Sequence, residues 1–104
     1  MALLQSEKPI DSIFCGNDIT ALGAIDAARQ LGIKVPDALS IVGFDDITMA
    51  SWPSYSLTTW KQPIDDMVDT TVQLLLEEIN EKTNKVITRS LPGELIVRGS
   101  VKDK

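Results

Sequence analysis

The chain has 104 residues and a net charge of −5, enough length for one small domain. Residues 1–81 carry four basic and thirteen acidic side chains, so most of the chain lacks the basic surface that binding to DNA phosphates requires. A single cysteine excludes an internal disulfide, and the absence of histidine excludes histidine-based catalysis and histidine metal ligands. With no visible secretory leader and no apolar run of membrane-spanning length, we expect a cytoplasmic protein without a cofactor.

The first half of the chain has the pattern of a strand, a helix and a second strand. The apolar run at 12–15 predicts a buried strand, and the apolar residues at helical spacing that follow predict a helix capped by Asp18 and ended by Gly32. Residues 40–44 are apolar and β-branched and predict a second buried strand. Because a strand–helix–strand unit of this length joins parallel strands, the expected fold class is α/β with a parallel sheet.

The second half is predicted to hold one long helix among short strands. Residues 47–56 suggest a loop with one helical turn, and 57–60 a short strand. Pro63 suits the first turn of a helix, and apolar residues spaced by three and four extend that helix to residue 81. After a polar break at 81–85, residues 86–91 and 94–98 predict two strands around Pro92-Gly93.

The candidate site residues are polar side chains that follow the two predicted strands of the first half: Asn17, Asp18, Asp45 and Asp46. Ligands of open α/β sheets bind beyond the carboxyl ends of the strands. Asn17 and Asp45 lie 28 residues apart, one strand–helix–strand repeat, so they can face one crevice and bind a ligand rich in hydroxyl groups. The alternative is that these residues only form turns and a helix cap. No ligand cluster supports a metal site, and no second acid or nucleophile supports a hydrolase, so we do not expect an enzyme.

Four further residues carry open or weaker predictions. Cys15, at the end of an apolar strand, is expected to be a buried, inert thiol. Trp52, Tyr55 and Trp60 lie within nine residues of one another and can form either core or an exposed surface for a partner.

Several short motifs follow one another along the chain. They are Ile-Phe-Cys-Gly-Asn-Asp at 13–18, Ala-Leu-Gly-Ala at 21–24, residues 31–37, Ser-Ile-Val-Gly-Phe-Asp-Asp-Ile at 40–47, Leu-Thr-Thr at 57–59, Gln-Pro at 62–63 and 94–98. In this order and spacing, they resemble the LacI/GalR family of sugar-sensing transcriptional regulators. The family's usual acid in the motif at 35–38 is Ala38 here, and its usual Glu near the end is Gly99, so those two turns depart from the pattern.

The resemblance implies part of a doubly wound, periplasmic-binding-protein-like effector domain with two lobes around a cleft. Residues 1–60 would belong to the C-terminal lobe, 61–91 to the other lobe, and 92–104 would return to the first. Asn17 and Asp45 match the family's positions that hydrogen-bond effector hydroxyls, and Gln62 matches a position that lines the site. Leu22, Trp52 and Tyr55 fall in the family's dimer interface.

The resemblance also implies the partners. We expect a small-molecule effector of the sugar type, a homodimer, and operator DNA bound only through an N-terminal domain that this chain lacks. The chain would then be a truncated part of a transcriptional regulator. The alternative is a fragment of a periplasmic sugar-binding protein of a transporter, which shares the fold.

Overall fold

The computed structural model describes residues 3–5, 9–81, 86 and 88–102. The strands form one sheet in the order β1-β2-β3-β4, in which β1 and β3 each pair with β2 in parallel. The predicted α/β class with a parallel sheet is therefore confirmed. The elements are β1 (Ser12–Phe14), α1 (Asp18–Gln30), β2 (Ser40–Asp45), a short 3-10 helix (Thr48–Ser51), β3 (Thr58–Lys61), α2 (Ile64–Glu81) and β4 (Glu94–Ile96).

The ends of α1 follow from the residues at each boundary. Asn17 is the N-cap, because its side-chain oxygen accepts a hydrogen bond from the Thr20 amide at 2.8 Å. The prediction that Asp18 caps the helix was wrong, since Asp18 is the first helical residue and its carboxylate bonds elsewhere. The helix ends before Gly32, whose φ of 72° is the left-handed conformation that glycine adopts most easily.

The chain divides into two compact units, Met1–Lys61 with Leu95–Lys104, and Gln62–Glu94. The core of the first unit lies between α1 and the sheet, and its largest apolar side chains come from α1 and from residues in or beside β2 and β3. These fully buried residues are Ile25, Leu39, Ile41 and Leu57. Cys15 belongs to the same core, as predicted.

The second unit contains α2. Asp65 and Asp66 lie in its first turn, where the helix dipole favours negative charge. Much of its apolar side-chain surface is exposed, at Ile64, Met67, Val68, Val72, Leu75, Leu76 and Ile79.

The predictions for the last third of the chain were partly wrong. Residues 86 and 88–91 form no strand, and β4 covers only Glu94–Ile96 of the predicted 94–98. The polar break at 82–85 and residue 87 lie outside the described residues. Over the ranges that the structure describes, no helix is long and apolar enough to cross a membrane.

The segment after β4 closes the amino-terminal edge of the sheet. The buried Ser100 hydroxyl accepts a hydrogen bond from the Thr58 amide at 2.8 Å and donates one to the Ile41 carbonyl oxygen. The Lys102 amide donates to the Ser40 hydroxyl at 3.0 Å. The segment after β4 therefore holds this edge of the sheet through hydrogen bonds to β2 and β3.

Candidate functional site

The carboxyl ends of three parallel strands meet at one edge of the sheet. The register pairs Ser12 with Ser40 and Phe14 with Val42, an offset of 40 − 12 = 28 residues. Asn17 and Asp45 are separated by the same number, so both lie at this edge: Asn17 follows β1, and Asp45 is the last residue of β2. The structure thus places these two predicted residues where ligands of open α/β sheets bind.

Asn17 is exposed and has two groups with different uses. Its side-chain carbonyl oxygen caps α1 through Thr20. Its amide NH₂ carries the donors that suit a ligand hydroxyl. The cap and the ligand contact were alternatives in the sequence, but they use different atoms, so the cap does not remove Asn17 from the candidate site.

The backbone is strained at the end of β2. Asp45 has a φ of 126° and Asp46 a φ of 58°, both in the region that side-chain-bearing residues rarely adopt. Such conformations cost about 1–3 kcal/mol each and concentrate at functional sites. Asp and Asn tolerate them better than most residues do, which fits the two adjacent carboxylates here.

Asp18 is a structural residue rather than a ligand contact. Its side chain is 0% exposed, and it accepts hydrogen bonds from the Thr59 hydroxyl at 2.6 Å and the Ile47 amide at 2.8 Å. Thr59 in turn accepts a 3.3 Å bond from the Asp46 amide. This removes Asp18 from the candidate ligand groups, because every ligand at the edge is separated from it by packed protein.

Asp46 is also held within the protein. Its carboxylate accepts a hydrogen bond from the Arg98 guanidinium at 2.9 Å, in an ion pair that is mostly shielded from solvent. Arg98 donates a second bond to the Leu57 carbonyl oxygen at 2.8 Å, and its backbone amide donates to the Thr58 hydroxyl. Asp46 therefore anchors the turn through its side chain. Asp45 is half-buried at the end of β2, and its part in ligand binding stays a prediction.

Sequence reasoning missed Thr59, Arg98 and Gly43 as parts of this region. Gly43 lies under Asp18, and a Cβ added there would stand 2.3 Å from the Asp18 Oδ1. The sequence did show a glycine inside a β-branched strand, which signals a close approach of another group. It gave no signal for Arg98, which lies 52 residues from its partner.

The model for periplasmic binding protein-like domains matches residues 1–101. The chain belongs to that family. The ribose operon repressor of Halalkalibacterium halodurans is 40% identical over 101 residues, which are 97% of this chain and 30% of that protein. The transcriptional repressor PurR of Photobacterium profundum is 38% identical over the same shares of the two chains. The chain thus spans about 30% of the length of these curated relatives.

Solved structures of family members have the same fold. A LacI family regulator from Enterococcus faecalis, crystallised with bound ribose, matches 96% of this chain and 37% of that chain, with 35% identity and a TM-score of 0.83. The LacI/GalR resemblance is therefore confirmed, and the relatives named here are transcriptional regulators rather than enzymes.

The three residues predicted for a dimer interface lie in different environments. Leu22 is only 7% exposed and packs in the core, so its side chain offers a partner almost no surface. Trp52 is 49% exposed. The Tyr55 hydroxyl bonds Asp26 at 3.3 Å, and the Arg29 guanidinium lies 5.6 Å from the centre of its ring.

These contacts decide the open question about the aromatic residues. Trp52 and Trp60 are exposed, whereas Tyr55 packs against the core and its hydroxyl bonds Asp26 of α1. The part of Leu22, Trp52 and Tyr55 in a dimer stays a prediction.

The last predicted site residue, Gln62, belongs to the second compact unit. Gln62 is half-buried and is the first residue of the second compact unit, and its part in ligand binding stays a prediction. Among the described residues, no group of three or more acidic or cysteine side chains is arranged to hold a metal ion.

Proposed function

We propose that this chain is the effector-binding part of a LacI-type transcriptional regulator and that its effector is a small sugar. The observation that carries the proposal is the position of Asn17 and Asp45 at the carboxyl edge of the parallel sheet, where the neighbouring strands β1 and β2 end. The ribose operon repressor among the relatives and the ribose-bound E. faecalis regulator support a pentose as the first ligand to test.

The two side chains have complementary chemistry for a sugar. The Asp45 carboxylate accepts hydrogen bonds from hydroxyl groups, and the Asn17 amide donates to hydroxyl oxygens. Hydrogen bonds to charged groups contribute about 1.5–3 kcal/mol, so Asp45 should supply much of the affinity of this half of the site. Gln62 is proposed as a third contact, as the family resemblance implies.

In the whole regulator, sugar binding would change the population of lobe arrangements and so the affinity for operator DNA. We assign residues 1–60 and 92–104 to one lobe and 61–91 to the other. DNA would be bound by an N-terminal domain outside this chain, and Trp52 and Tyr55 would contact a second subunit. The relatives are named as repressors, which favours this function over a sugar-binding protein of a transporter.

The decisive substitution is Asp45→Asn. Asparagine keeps the size of the side chain and tolerates the positive φ of this position, whereas alanine would add backbone strain to the loss of charge. The matched control is Asp11→Asn, which removes the same charge from an exposed residue before β1, at the opposite edge of the sheet.

The assay is a titration of the ¹⁵N-labelled chain with D-ribose, followed by NMR. We expect saturable shifts of the Asn17 side-chain amide and of the Asp45 backbone amide. Asp45→Asn should weaken binding roughly 10- to 100-fold, and Asp11→Asn should not change it. A wild-type spectrum unaffected by ribose, or equal affinity of wild type and Asp45→Asn, would contradict the proposal.

A further inference from the structure

We propose that Thr59 is a positioning residue of the sugar site, and that its buried hydroxyl sets the distance between Asp45 and Asn17. This inference rests on the proposed function, since it assigns how the same site is held. Thr59 does not itself touch a ligand, because its side chain is 0% exposed.

The hydroxyl joins the two elements that carry the ligand groups. It donates to the Asp18 carboxylate at 2.6 Å and accepts from the Asp46 amide at 3.3 Å. Asp18 directly follows Asn17, and Asp46 directly follows Asp45. One buried oxygen atom therefore links the start of α1 to the end of β2.

A second hydrogen bond makes the link stiff. The other oxygen of the Asp18 carboxylate accepts from the Ile47 amide at 2.8 Å, so α1 holds the turn directly at Ile47 and through Thr59 at Asp46. Gly43 leaves room for this carboxylate and no more, as a Cβ there would lie 2.3 Å from its Oδ1. Arg98 holds the Asp46 side chain independently.

The turn needs such a link because its backbone is strained. The positive φ angles of Asp45 and Asp46 persist only where the surroundings fix them. Without the Thr59 hydroxyl, the Asp46 amide loses its described acceptor and the Asp18 Oδ1 loses its donor. The turn is then expected to relax toward negative φ, which would move the Asp45 carboxylate relative to Asn17.

The test compares two substitutions. Thr59→Val removes the hydroxyl at nearly constant side-chain shape, and Thr59→Ser retains the hydroxyl. Asp18→Asn disrupts the same link from the side of α1, and it replaces Thr59→Val as the test variant if Thr59→Val does not fold. The control is Ser100→Ala, which removes a buried hydroxyl with two hydrogen bonds at the other edge of the sheet. Urea denaturation of every variant gives the loss of stability against which binding is compared.

Two readouts separate positioning from general stability. The first needs no ligand and is the strong intraresidue NOE between the amide and α protons of Asp46 that a positive φ produces. The second is the affinity for D-ribose. We expect Thr59→Val to lose the NOE and to bind ribose roughly 2- to 10-fold more weakly. Thr59→Ser should retain both properties, and Ser100→Ala should lose stability alone.

The proposal would be overturned if Thr59→Val retains the NOE. It would also be overturned if Thr59→Val loses the NOE but binds ribose with unchanged affinity. An equal fall in affinity in Ser100→Ala would also overturn it, because the effect would then follow stability rather than the turn. If the wild-type chain does not respond to ribose, the proposed function fails by itself. The NOE still decides whether Thr59 holds the turn.

Discussion

Gly43 is the position where a single added methyl group should destabilise this fold most clearly. Its Cβ would lie 2.3 Å from the Asp18 Oδ1 and 2.9 Å from the Leu57 Cδ2, both closer than real Cβ contacts. The Asp18 carboxylate has no free direction in which to move, because the Thr59 hydroxyl and the Ile47 amide hold its two oxygens. Gly43→Ala must therefore shift β2 or break these hydrogen bonds.

The expected loss of stability has two parts, overpacking of the core and loss of a hydrogen bond to the Asp18 carboxylate. Overpacking a core by one methyl group costs about 1–3 kcal/mol. Losing a hydrogen bond to a charged group adds about 1.5–3 kcal/mol. We expect Gly43→Ala to lower the free energy of unfolding by about 3–5 kcal/mol, a large part of the roughly 5–15 kcal/mol of an ordinary domain.

Urea denaturation followed by circular dichroism measures this loss, and Gly23→Ala is the matched control. Gly23 is exposed within α1, and no atom outside its own helix lies within 4 Å of an added Cβ. Alanine there should stabilise the chain by about 0.5–1 kcal/mol, because glycine is costly in a helix interior. A Gly43→Ala loss below about 1 kcal/mol, or an equal loss in Gly23→Ala, would refute the reasoning.

Two further predictions concern Cys15 and the surface near Trp52. Burial raises the pKa of the Cys15 thiol, so the reactive thiolate is scarce in the folded chain. A thiol reagent at pH 8 should label Cys15 at least roughly tenfold faster in denaturant, and equal rates would contradict its burial. Since the folded state retains the proton, the stability contributed by this thiol should fall as the pH rises above its ordinary pKa, and Cys15→Ala should lack that fall. If Trp52 contacts a second subunit, Trp52→Ser should raise the dimer dissociation constant more than roughly tenfold in sedimentation experiments. Trp60→Ser, at a tryptophan that is 39% exposed, should not, and equal effects would remove Trp52 from the interface.

The sequence predicted the elements of the first unit well because each has strong local signals. The apolar runs at 12–15 and 40–44, the turn formers around Asn17 and the glycine after α1 act over a few residues, and the structure places β1, α1 and β2 there. The prediction that the first strand is buried was wrong, since Ser12 and Phe14 are exposed. The last third lacked such signals. The β-prone residues between 86 and 91 do not form a strand where they are described, since strand propensity alone does not supply a pairing partner.

The candidate site was predictable only in its outline. The spacing of 28 residues between Asn17 and Asp45 predicted that both lie at the carboxyl edge of the sheet, because neighbouring parallel strands here are offset by the same number of residues. It did not show that the carboxylates of Asp18 and Asp46 are held by side chains far along the chain. Those side chains are Thr59 and Arg98, which lie 41 and 52 residues from their partners and leave no local pattern.

Hydrogen bonds hold both edges of the sheet, and Arg98 connects the two, because it bonds Asp46 in the turn and Leu57 beside the start of β3. Ser100 joins β2 and β3 at the amino edge, while Asp18 and Thr59 join α1 to the strained turn at the carboxyl edge. A ligand at the carboxyl edge would therefore act first on the start of α1 and the turn. Tyr55 and Arg29 connect the far half of α1 to the loop that carries Trp52. The proposed sugar site and the proposed subunit surface thus share one helix, and a displacement of α1 by ligand would reach the proposed second subunit through the contacts of Tyr55 and Arg29.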